Sequence, residues 1–153
     1  MGLRNPDSTA TIGGHPIHPM LIPFPIVFFL STLFTDVVFW ATGNPAWATA
    51  GVWLLGAGIL TALAAAIAGV VDFMGDTRIR ALNDAWQHAL GNVIAVLIAL
   101  FNWYWRYQYG ADAVLPLGLI LSLVIAAILG FTAWKGGDLV YKHRVAVEDD
   151  PRA

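Results

Sequence analysis

Four long apolar runs, separated by short polar stretches, organise this chain. Pro23 to Ala41, Trp47 to Val71, Ala89 to Tyr107 and Ala113 to Trp134 each supply the roughly 20 apolar residues that a helix needs to cross a bilayer core of about 30 Å. Between them lie ATGNP, DFMGDTRIRALND and RYQYGAD, whose Gly, Asn, Pro and charged residues mark turns. Open strands are excluded in hydrocarbon, because their edge backbone groups would go unpaired. The pattern predicts an all-α integral membrane protein, an up-down-up-down four-helix bundle. Residues 1–22 are then an extended cytoplasmic lead-in, 23–134 the transmembrane domain and 135–153 a cytoplasmic tail.

Composition agrees. Of 153 residues, 58% are hydrophobic and only 12% charged, and the mean hydropathy is +0.68, which points to lipid as the solvent. The absence of Cys excludes disulfides, thiolate metal centres, iron–sulfur clusters and covalent haem attachment through CxxCH. A net charge of −2 without a basic run excludes nucleic-acid binding. The first twenty residues contain no apolar core of a signal peptide, so the first span is expected to act as its own insertion signal.

Charge sets the expected orientation. With four spans, Arg4, Arg78, Arg80, Lys135, Lys142, Arg144 and Arg152 share one side, and only Arg106 lies on the other. This asymmetry places both termini in the cytoplasm. Trp40, Trp47, Trp103, Tyr104, Trp105, Tyr107 and Tyr109 then form an outer aromatic belt, with Trp86 and Trp134 near the inner face. Gly58, Ala62 and Ala66, and again Ala65 and Gly69, repeat every four residues as a close-packing stripe.

All four histidines fall on the cytoplasmic side. His15 and His18 sit in the segment GGHPIHPMLIPFP, and each precedes a proline, which disfavours the α region. Both are expected on an extended strand, about 9 Å apart on one side of it. Pro23 and Pro25 suit the first turn of span one. Asp84, His88 and Asn92 recur every four residues on one face of span three, and Asp72 ends span two at similar depth, where it would orient His88. Spans one and three are diagonal in a simple bundle, so His18 and His88 are expected to face each other. His143 joins them only if the chain bends at Gly136 and Gly137. Asp36 is a membrane carboxylate close to the outer interface, where Thr32, Thr35 or a neighbouring helix would hydrogen-bond it.

HPIHPMLIPFPI at 15–26, Asp36 in LFTD, GVVDF at 69–73, WQHALGN around His88 and GGDLVYKHRVAV at 136–147 together resemble domain-of-unknown-function family 2231, small four-helix bacterial membrane proteins. The resemblance spans nearly the whole chain and implies the same topology. It implies no activity. Many members of that family have His where this chain has Pro23, and Gly where it has Arg144; the second difference makes a tight turn after His143 less favourable.

Three readings follow. In the first, the cytoplasmic end of the bundle holds a redox centre: a b-type haem ligated by His18 and His88, or a transition metal held by His15, His18, His88 and Asp72, exchanging electrons with a redox partner protein. In the second, the chain is a non-catalytic membrane scaffold or subunit, alone or as a homo-oligomer. In the third, Asp36, Asn92, Asn102 and the inner His/Asp cluster line a proton or small-ion path. No Ser-His-Asp set, phosphate-cradling loop or inward carboxylate pair supports a hydrolase or nucleotide-dependent enzyme.

Overall fold

The computed structural model describes residues 5–148, so Arg4 and Arg152, counted above for orientation, lie outside the described residues. The lead-in opens with a two-residue antiparallel pairing of β1 (Thr11–Ile12) with β2 (His15–Pro16). Gly13 and Gly14 close it with φ of 57° and 81°, left-handed values that a tight hairpin turn requires. His18 then falls in a short helix, α1 (Ile17–Leu21), not on an extended strand. Pro19 lies in the first turn of α1, where a missing N–H costs no intrahelical bond, so the pre-proline bias is overridden.

Helix α2 (Pro23–Thr42) follows with only Ile22 between, its N–H donating to the His18 carbonyl. Gly43 ends α2 at φ 66°, with its N–H on the Phe39 carbonyl. Asn44 caps α3 (Pro45–Gly75) by accepting from the Ala46 N–H, and Pro45 occupies the first helical position. Asp76 likewise caps the short α4 (Thr77–Arg80) through the Arg78 N–H. Helix α5 (Asn83–Tyr109) runs to Gly110, and a single 3₁₀ turn over Gly110–Ala113 leads to Leu115, extended at φ −116° and ψ 136° before a cis bond to Pro116. Helix α6 (Leu119–Tyr141) completes the chain.

Among the described residues, three helical stretches are long and apolar enough to cross a membrane: Ile17–Thr42, Pro45–Gly75 and Asn83–Tyr141. The third is bent at Leu115, and its two limbs, α5 and α6, pack side by side. The first extends six residues upstream of Pro23. The last does not stop at Trp134: α6 continues through Gly136 and Gly137, where Lys135 reaches Asp84 and Lys142 reaches Asp138. A neighbouring helix and ion pairs stabilise those turns more than two glycines weaken them.

Helix α2 packs against α3 and α6, and α5 against α6 and α3. Their shared core is one apolar layer, Phe29, Leu55, Ile59, Ala99 and Ile125. Gly58 belongs to the small-residue stripe, and a Cβ there would lie 2.6 Å from the Phe29 ring, so this glycine is what lets α2 and α3 close. Outside, Phe34, Leu60, Ile67 and Leu97 are exposed along the helices. Exposed apolar side chains of this density suit contact with a lipid bilayer, not water. Trp40, Tyr104, Tyr107 and Tyr109 are exposed near one end of the helices, and Trp86 and Trp134 near the other, as interfacial anchors should be.

Candidate functional site: a histidine pair and a buried ion pair

Two polar sites lie at opposite ends of the core layer. His88 and Arg106 share one face of α5, about five turns and roughly 27 Å apart along its axis.

The first site joins α1 and α5. The His18 and His88 rings have centroids 6.0 Å apart and planes inclined at 86°. His18 Nδ1 lies 2.8 Å from the Ala65 carbonyl on α3, and His88 Nδ1 lies 2.8 Å from the Thr132 carbonyl on α6. A carbonyl only accepts, so both Nδ1 atoms carry a proton, and in the neutral imidazole the lone pair then lies on Nε2. Asn92 Nδ2 lies 3.2 Å from His88 Nε2, and the Thr132 hydroxyl donates to Asn92 Oδ1 at 3.1 Å. Both rings fit because the facing helix has glycine beside each: a Cβ at Gly69 would stand 3.0 Å from His18 Nδ1, and one at Gly136 3.2 Å from His88 Nδ1.

The other sequence candidates do not converge on this pair. His15 is exposed, with its ring on the Gly13 carbonyl 3.0 Å away, because the hairpin turns it from the helices. Asp72 does not orient His88. Its Oδ1 accepts from the Ser8 hydroxyl and from the backbone N–H of Thr9 and Ala10, each at 2.8 Å, and so ties the lead-in to the end of α3. Asp84 pairs with Lys135 at 2.8 Å and His143 at 2.9 Å, away from His88. His143 gets there although no bend occurs at Gly136: the turn comes later, with Arg144 at φ 54° and Ala146 at φ 59°. Arg144 thus adopts the left-handed conformation that glycine would take more easily. The set His15, His18, His88 and Asp72 is therefore not a four-ligand cage, and among the described residues no three or more His, Cys, Asp or Glu side chains cluster as metal ligands would.

The second site is an ion pair: of the partners expected for Asp36 the neighbouring helix is the one found, through Arg106 of α5, a residue the sequence did not single out. Asp36 accepts from Arg106 through both oxygens, at 2.6 and 2.7 Å, and both side chains are completely buried. Arg106 Nε donates to Asn102 at 2.9 Å and Nη2 to Ser122 at 3.2 Å. Gly51 and Gly118 flank the guanidinium, and a Cβ at either would come within 2.9 Å of it. Asp36 is thus held by neither Thr32 nor Thr35, whose hydroxyls serve their own helix. In the sequence Arg106 stands only as the single positive residue opposite the other seven. The available signal was the carboxylate itself, since a charge inside a membrane protein demands a counter-charge.

Three apolar helical stretches enclosing polar sites define a helical membrane protein. Residues 14–149 match the family model described as "Predicted membrane protein (DUF2231)", and the chain belongs to that family. No curated protein and no solved structure matches it.

Proposed function

We propose that the chain crosses a bacterial inner membrane four times, up-down-up-down with both termini cytoplasmic, and that His18 and His88 ligate one metal centre used in electron exchange with a redox partner. The bend at Leu115, with α5 and α6 side by side, supports four crossings over three. Burial of Arg106 against Asp36 removes its charge from the outer surface and sharpens the inward bias of Lys and Arg.

The observation that carries the metal reading is the state of the two rings. Metal-binding histidines generally donate their remote N–H to a carbonyl or carboxylate, which fixes the tautomer and the ring, and both His18 and His88 do so. A metal bound at about 2 Å by two opposed imidazoles separates their centroids by roughly 6 Å, close to the 6.0 Å found. Two neutral nitrogens leave tetrahedral zinc two ligands short, but they satisfy the axial positions of a b-type haem iron or linear copper(I). The close seating of both rings at Gly69 and Gly136 favours the bare ion, because a porphyrin would have to part them.

A scaffold reading has its own support: every fully buried polar side-chain atom among the described residues has a hydrogen-bond partner, as a purely structural core requires. Ion conduction through one copy is disfavoured by the apolar layer between the two polar sites. Absorption spectroscopy and elemental analysis of the full chain in detergent decide. A Soret band or stoichiometric copper, lost in His88→Ala, is expected; a colourless, metal-free protein leaves the scaffold.

A further inference from the structure

The two polar sites share a regularity that no single helix explains. Asp36 and Arg106 are 70 residues apart. The same interval separates His18 from His88, Phe29 from Ala99 and Thr32 from Asn102, and the last two pairs are buried on α2 and α5. Helices α3 and α6 correspond at a second, slightly shorter interval, which carries Gly51 onto Gly118, Ala65 onto Thr132 and Gly69 onto Gly136.

The corresponding residues also do the same things. Ala65 and Thr132 accept the Nδ1 proton of His18 and His88 respectively, both at 2.8 Å. One turn further on, Gly69 and Gly136 make room for those same rings. Gly51 and Gly118 approach the guanidinium from its two sides at equal distance, 2.9 Å. Packing of α2 on α3 and α6 is matched by packing of α5 on α6 and α3. Helical periodicity alone would align faces, but it would not give matched partners at both ends of both hairpins.

We infer that the chain is two copies of one helical hairpin related by a pseudo-two-fold axis, and that His18 and His88 are the equivalent donors of a single cation site on that axis. The cation clause rests on the function proposed above. Parallel repeats about an axis along the membrane normal are an established membrane architecture. At the histidine end each copy contributes the same group, an imidazole held through Nδ1; Asn92 covers the Nε2 of His88 at 3.2 Å and would have to swing aside for a cation, whereas Ile22 stands at the equivalent place beside His18. A cation seated there would take one imidazole nitrogen from each half, so the chemistry is a borderline or soft metal that accepts two nitrogen donors. At the outer end the copies have diverged into opposite charges, which hold the halves together.

The test uses the full chain in detergent, stripped of metal. It is titrated with copper(I) against a chromogenic chelator and, separately, with haemin followed by its Soret band. One equivalent of one of the two should bind. His18→Asn and His88→Asn should each weaken binding by at least about tenfold, and by similar factors, while His15→Asn changes nothing. Asn is chosen because its amide can still donate to the Ala65 or Thr132 carbonyl, which separates lost ligation from lost fold. Dependence on one histidine alone, or two independent equivalents, overturns the symmetric site and joint ligation by His18 and His88, and leaves only that the chain binds a metal. Binding of neither probe by the unmodified chain removes the metal reading and the cation clause together. The repeat is tested without metal by exchanging the charges, Asp36→Arg with Arg106→Asp. Thermal stability should recover well above either single variant, since glycine flanks both positions and the Thr32 hydroxyl stands where Asn102 does. An exchange no more stable than the single variants overturns the repeat.

Discussion

Asp36 and Arg106 meet through two parallel hydrogen bonds with no solvent on either side chain. Such a pair is costly to assemble but far more costly to break, because the survivor is a buried, uncompensated charge. Asp36→Ala or Arg106→Ala should each lower stability by about 3–5 kcal/mol. Replacing both at once, Asp36→Leu with Arg106→Met, should cost much less than the sum. Thermal unfolding in detergent measures all three.

Two glycines of the last limb should respond oppositely to alanine. At Gly118 a Cβ would stand 2.7 Å from the Ala113 carbonyl oxygen and 2.9 Å from Arg106 Nη2, and a backbone atom cannot swing aside. Gly118→Ala should destabilise by about 1–3 kcal/mol. At Gly130 nothing lies within 4 Å, so Gly130→Ala should be neutral or stabilise by up to about 1 kcal/mol through helix propensity. Paired melting curves of the two variants check the contrast.

Asp72 anchors the lead-in, with one carboxylate oxygen taken up by Ser8, Thr9 and Ala10. Asp72→Ala should release Ser8, Thr9 and Ala10, and limited proteolysis should then cut the first residues at least about tenfold faster. Any metal bound at His18 and His88 should remain. Loss of that metal with the lead-in still protected would contradict the hydrogen bonds found at Asp72.

Acid should loosen the loop between α3 and α5. Hydrogen bonding to Arg78 holds the Asp76 carboxyl well below the usual carboxylate range. Its folded value is lower than its unfolded one, so its stabilisation is complete above the ordinary carboxyl value near 4 and disappears as pH falls through the folded value. Hydrogen exchange at the Arg78 amide, which donates to Asp76 at 2.8 Å, should accelerate relative to its neighbours on acidification below about pH 4. In Asp76→Ala that acid limb should be flat.

Apolar run lengths revealed the helices because crossing lipid leaves a chain few alternatives, and the facing of His18 and His88 was legible from diagonal packing. Boundaries were less so. Pro19 and Gly136 read as helix breakers, but Pro19 sits in the first turn of α1, where no intrahelical N–H is lost, and Gly136 packs beside His88 of the neighbouring helix. Asp72 looked like a ligand because depth can be counted along a sequence, whereas the fold-back of Ser8 to Ala10 cannot. The partnership of Asp36 with Arg106 was hidden by a rule that counts arginines as loop charges without asking whether they turn inward.

The layer formed by Phe29, Leu55, Ile59, Ala99 and Ile125 makes the molecule an insulator between its two ends. None of its five side chains can donate or accept a proton or ligate an ion. A proton taken up at the His18–His88 pair has no side-chain relay through this layer to Asp36 and Arg106.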